Sequence, residues 1–176
     1  SDRVPIVHLV PLLTDKGFTN ESASSVLMVL MFSGIFGRIL GGKLGDMYGA
    51  LPGYMMMSFG QTISVFWFPF LDSIFALYAL AIFFGFTYSG VMSAILVCAR
   101  TMVPPSYAAR MMSITAFFGW GGMGMGGFVG GYLFDVQSNY FWSFYFATMV
   151  GITNLGILGL LALRIRQARV REEVFS

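Results

Sequence analysis

From Met111 to Leu133 the chain carries no charged residue, and eight glycines fall between Gly119 and Gly131. At about 1.5 Å rise per residue, such a stretch can cross a hydrocarbon core of about 30 Å as one helix. Its glycines leave backbone bare, which suits close approach of another helix. Three further segments are comparably long and apolar. With 57% hydrophobic and only 10% charged residues, where soluble domains carry about 25%, the chain fits a polytopic membrane protein. The expected fold class is therefore all-α, a transmembrane helical bundle. Function has to be sought in the few polar groups carried into the apolar interior.

Glycine, proline and charged residues divide the chain. A partial helix is expected at 1–13. Its apolar run, Val4 to Leu13, is too short to span and lacks the basic leader and small-residue cleavage site of a secretory signal. It reads as the second half of a severed helix, which makes the sequence the C-terminal part of a longer protein. Full spans are expected at about 22–44, 52–71, 74–99, 109–133 and 140–163, and a basic tail at 164–176. Pro104 and Pro105 break the chain before the fourth span, and Asp72 with Ser73 forms a short turn. The last span opens on Tyr140, Phe141, Trp142 and Tyr145, rings that favour the membrane boundary. Cys98, the lone cysteine, excludes an internal disulfide and reads as a packed thiol in an apolar run.

Alternation of the spans sorts the loops onto two sides. Lys43, Arg100, Arg110 and the four arginines from Arg164 to Arg171 share one side, while Asp15, Lys16, Glu21, Asp72 and Asp135 share the other. The excess of Lys and Arg in cytoplasmic loops makes the first side, with the C-terminus, cytoplasmic. A multi-pass protein of a cell membrane, inner or plasma, is expected.

Arg38 lies inside the first full span, six residues before its expected end. An arginine near a helix centre costs about 2.5–3.5 kcal/mol on insertion scales, so it is kept where it faces protein or water and meets an anion or carbonyl groups. Gly34, Gly41 and Gly45 fall at helical spacing with it and leave room for a helix or a ligand. Two uses fit: a planar, permanently charged grip on a carboxylate, or snorkelling to the interface. His8, between Pro5 and Pro11, is the second ionisable group at membrane depth. It can carry a proton or meet an anion, or it can be satisfied by a carbonyl that the prolines free.

Gly122, Gly124 and Gly127 match the spacing of a dinucleotide fingerprint, but no strand precedes them and no helix opens there. The spacing of Gly122, Gly126 and Gly130 instead predicts small-xxx-small packing. Gly85, Ser89 and Ser93 make a second small stripe. Tyr88 and Trp120 are candidates to line a cavity or to pack, and Gln61 and Asn154 suit hydrogen bonds between helices. No nucleophile with a base, metal-ligand cluster or phosphate loop is present in the sequence, so an enzyme, a bound metal or a cofactor is not indicated. The basic tail is accounted for by topology and anionic lipid rather than nucleic acid.

The segment Gly42-Lys43-Leu44-Gly45-Asp46-Met47-Tyr48-Gly49 resembles the signature loop of the major facilitator superfamily at Gly42, Leu44, Gly45, Asp46 and Gly49. It departs at Met47, Ala50 and Leu51, where the family's basic residues are missing. The resemblance implies the C-terminal half of a major facilitator fold, with the partial helix as the seventh of twelve and the rest as the eighth to the twelfth. Gly37-Arg38-Ile39-Leu40-Gly41 and His8-Leu9-Val10-Pro11 are similar to the monocarboxylate transporter and oxalate/formate antiporter branch. The resemblance implies that Arg38 binds a substrate carboxylate. Gly34 stands where monocarboxylate carriers often place an aspartate, and 111–133 offers no basic residue of the kind the oxalate exchanger uses, which points away from dianion exchange.

The expected function is part of a secondary transporter that moves a small organic anion, a monocarboxylate, by alternating access. Arg38 would be its anchor, with His8, Tyr88 and Trp120 as further substrate-binding groups and Gly42, Asp46 and Gly49 in the gating loop. Asp46 would hold a helix N-terminus or a loop arginine at the cytoplasmic gate, or serve as a helix cap. The partners implied are the substrate, the bilayer and an N-terminal half of the same transporter. The alternatives are an exporter of drugs or other solutes, in which Arg38 is structural, and a membrane assembly subunit that transports nothing.

Overall fold

The computed structural model describes residues 13–14, 17, 19–137 and 141–175. It is an antiparallel array of helices: α1 (Asn20–Tyr48), α2 (Ala50–Trp67), α3 (Ile74–Thr101), α4 (Pro105–Gln137) and α5 (Phe141–Phe175), with a 3₁₀ turn at Phe68–Phe70. No strand occurs among the described residues. By length and composition, Asn20–Tyr48, Ile74–Thr101 and Trp142–Ala168 can each cross a membrane. The 18 residues of α2 rise only about 27 Å, and the 3₁₀ turn extends them. The expected partial helix and His8 lie outside the described residues, apart from Leu13 and Thr14.

The helix boundaries follow from local chemistry. Thr19 caps α1, its side-chain oxygen accepting from the backbone N–H of Ser22 at 3.2 Å. The expected loop at 42–49 is instead helical through Tyr48, and Gly49 alone joins α1 to α2. Gly49 has φ 95°, a conformation nearly reserved for glycine, and this permits a one-residue reversal. Gly53 completes the corner, because a Cβ there would stand 2.9 Å from the backbone nitrogen of Gly45. Pro105 opens α4 at the first helical position, where a missing N–H costs nothing. α5 runs unbroken past the expected span end at 163 to Phe175, so the basic tail continues the helix.

Glycine sets how closely the helices approach. Along the α1–α3 seam, a Cβ at Gly37 would collide with the Phe86 carbonyl, and one at Gly85 with the carbonyl of Leu30. A Cβ at Gly41 would stand 2.8 Å from the Gly90 Cα. Gly60 of α2 lies against Thr87 of α3, and Gly151 of α5 against Thr62 of α2. The stripe expected at Gly85 and Ser89 thus forms half of the tightest seam. Two apolar clusters close the ends of the bundle. Val26, Leu30, Phe68, Leu77, Phe84 and Phe144 belong to one, and Leu51, Tyr54, Met57, Ala94, Cys98 and Leu158 to the other. Cys98 is a buried free thiol, as expected for a packing role.

Of the glycines in the expected Gly122, Gly126 and Gly130 stripe, the first two do not form a comparable seam. No atom lies within 4 Å of a Cβ placed on Gly119, Gly121, Gly122, Gly124 or Gly126. The facing positions explain this, because Tyr88 and Met92 of α3 and Phe146 and Val150 of α5 are large and hold α4 away. Bare backbone permits close approach but supplies no attraction unless small residues face it.

Gly37→Val and Gly85→Val are expected to lower the thermal unfolding midpoint of the full-length protein in detergent, since overpacking costs about 1–3 kcal/mol. Gly159→Ala, at a position open to 4 Å, should leave the midpoint unchanged or raise it.

Candidate functional site

Arg38 sits between Gly34 and Gly41, at the edge of the α1 face that meets α3. Those two glycines are buried, and their contact with α3 seats the helix so that the Arg38 side chain emerges exposed beside the seam. Among the described residues it has no ion-pair partner. Exposed Ile35, Phe36, Ile39 and Leu40 surround it on α1, so the cation stands on an otherwise apolar surface.

A second feature lies inside the bundle. α2 touches α3 and α5, and α4 touches α3 and α5, while no comparable contact joins α3 to α5 across the ring. The ring borders a half-open cavity of about 320 Å³. Among the described residues, none that lines it is charged. One wall is polar: Asn154 donates from Nδ2 to Ser58 Oγ at 2.8 Å, and Tyr54 donates to Asn154 Oδ1 at 3.5 Å. Asn154 thus makes the interhelical bonds expected of it. Gln61, also on this wall, forms no hydrogen bond through its side chain among the described residues. Tyr88 lines the cavity, its ring stacked on Phe84 at 5.6 Å and its hydroxyl directed at Met123 Sδ at 3.9 Å.

The structure therefore brings Tyr88 into the cavity and sets Arg38 on the neighbouring face. Trp120 is 76% exposed on α4 and lines no part of the cavity. His8 lies outside the described residues. Asp46 is exposed in the last turn of α1, where the helix dipole disfavours an acid. It caps neither helix, because the N-cap of α2 is Gly49 and no side chain bonds there. Ser58 and Thr62 were hard to single out in sequence, since isolated small polar residues in an apolar run usually bond their own helix. Thr62 does so, donating to the Ser58 carbonyl at 2.8 Å.

The sequence profile described as Major Facilitator Superfamily matches residues 4–175. The chain belongs to the major facilitator superfamily. It is 32% identical over 168 residues to a Rattus norvegicus protein named monocarboxylate transporter 13, covering 88% of this chain and 37% of that relative. Within the superfamily it falls on the monocarboxylate-like branch. The chain spans 37% of the length of the curated relative it matches. Its helices are those of a multi-pass membrane protein of this superfamily.

Hydrogen bonds between membrane helices average about 0.6 kcal/mol in double-mutant cycles. A cycle of Ser58→Ala and Asn154→Ala, read by thermal unfolding, is expected to show a coupling of that order. Additive single effects would mean that the two side chains are not bonded in the folded protein.

Proposed function

We propose that this chain forms part of the pathway of a secondary transporter that carries a small monocarboxylate across a membrane by alternating access. The observation that carries the reading is Arg38, a permanent cation well inside a spanning helix, exposed beside the α1–α3 seam and without an ion-pair partner among the described residues. Such a group is costly in lipid and is stabilised by an anion. A carboxylate can accept two parallel N–H bonds from guanidinium, which an ammonium cannot offer. The name of the rat relative, and the match of the chain to its branch, support the same substrate class.

Tyr88, on the helix that packs against α1, would sit beside the bound carboxylate. His8 and Trp120 are proposed to contribute from the helices that flank the path. The relative is longer than this chain, and a second half of the transporter would supply the opposing wall. Rocking of two halves about a site near the midplane then gives access from either side. Asp46, exposed and in a place its own helix disfavours, is proposed to engage the other half at the cytoplasmic gate. The basic residues Lys43, Arg100 and Arg110 and the Arg164–Arg171 segment support a cytoplasmic position for that gate and for the C-terminus.

Uptake of labelled lactate and pyruvate into vesicles holding the full-length protein tests the reading. Wild type should show saturable uptake. Arg38→Ala is expected to lose at least a hundredfold in kcat/KM, and Arg38→Lys at least tenfold, because lysine restores charge without the fork. Unchanged uptake in both variants would make Arg38 structural, and no uptake in wild type would turn the search to other solutes. For topology, cysteines placed at Asp72 and Tyr107 in a Cys98→Ser background are expected to label from opposite sides, Tyr107→Cys from the cytoplasm.

A further inference from the structure

The cavity between α2, α3, α4 and α5 shares Tyr88 with the proposed carboxylate site but is not otherwise accounted for by it. Arg38 does not line it, and none of the described residues that line it is charged. Its size falls at the lower end of pockets that hold small organic ligands. A dry apolar cavity of about 150 Å³ takes up benzene, so about 320 Å³ has room for a body of two fused rings.

Its lining is divided. Val65, Phe84, Met92, Phe144 and Val150 present apolar surface, and the open backbone of Gly122 and Gly126 leaves the space beside α4 unfilled. The polar wall is concentrated on α2 and α5, at Ser58, Gln61 and Asn154. Gln61 is decisive. It is half-buried at membrane depth, and its carboxamide, with two donors and an acceptor oxygen, finds no partner among the described residues. A carboxamide that gives up water without gaining a partner is destabilising. A molecule bound in the cavity can supply the missing hydrogen bond.

We propose that this cavity is a binding site for an uncharged amphipathic molecule, a compact apolar body of about two rings with one hydroxyl or carbonyl group that bonds to Gln61. The absence of charge in the lining excludes carboxylates and phosphate headgroups, which would lose hydration without gaining a counterion. Occupancy fills the space that holds α4 off the other helices. The ligand therefore joins α4 to α2 and α5, and it stabilises the bundle by mass action.

The probe is 2-naphthol, compared with naphthalene and 2-naphthoate, bound to the full-length protein in lipid nanodiscs with empty nanodiscs subtracted. Wild type should bind 2-naphthol saturably at one site, naphthalene about three- to tenfold more weakly for want of one hydrogen bond, and 2-naphthoate weaker still. Gln61→Met should reduce 2-naphthol to the affinity of naphthalene. Gly126→Leu, which fills the open space, should weaken 2-naphthol at least tenfold, and Val150→Trp does the same from the opposite wall if the glycine variant does not fold. Arg38→Ala should bind 2-naphthol as wild type does, which separates this site from the carboxylate site whatever the uptake assays show. The proposal is overturned by a lack of saturable binding in wild type, by undiminished binding in both cavity-filling variants, or by 2-naphthoate binding as tightly as 2-naphthol.

Discussion

In lipid, an apolar side chain gains little by exchanging its solvent for a neighbouring helix, so association has to come from close packing and from interhelical hydrogen bonds. The α1–α3 seam meets that condition with glycine on both sides. Gly34, Gly37 and Gly41 of α1 lie against Gly85, Phe86 and Gly90 of α3, backbone on backbone. Met57 of α2 then packs on Gly90 and ties the third helix to the seam. The rotation of α1 set by this contact decides where Arg38 emerges. It also decides that Tyr88, one turn beyond Gly85 on α3, turns toward the interior of the ring.

The same physics explains why α4 is held differently. Its glycines are the densest in the chain, yet Gly122 and Gly126 share the cavity with large side chains of α3 and α5. A small residue lowers the distance of closest approach, and the partner determines whether that approach is used. Where the partner is Tyr88 or Val150, the bare backbone becomes the wall of a cavity. The polar wall opposite, built on Ser58 and Asn154, is firmly held by hydrogen bonds between α2 and α5.

Two polar groups in the described helices stand out because their own bundle does not satisfy them. Arg38 carries a charge on an apolar surface, and Gln61 presents an amide to a cavity that contains no charge. The first suits an anion approaching the face of α1, and the second a neutral molecule inside the ring. The helix pair α1–α3 separates them, with Tyr88 between.

How much was legible in the sequence depended on the range of the interaction. The all-α membrane fold, the order of the spans and the superfamily follow from apolar runs, charge-free length and the Gly42–Gly49 segment, all local properties of the chain. Arg38 could be singled out for the same reason, because a charge in an apolar run is costly whatever surrounds it. The helices run on past the expected span ends at 44 and 163, to Tyr48 and Phe175, since a helix can continue beyond the membrane boundary without any change in composition. Which glycines pack was not readable either, because closeness is a property of two facing surfaces and the sequence displays one at a time. The cavity, and the unpaired carboxamide in it, exist only once four helices close into a ring with large side chains between them. Tertiary structure alone decided that, through steric fit among residues far apart in the chain.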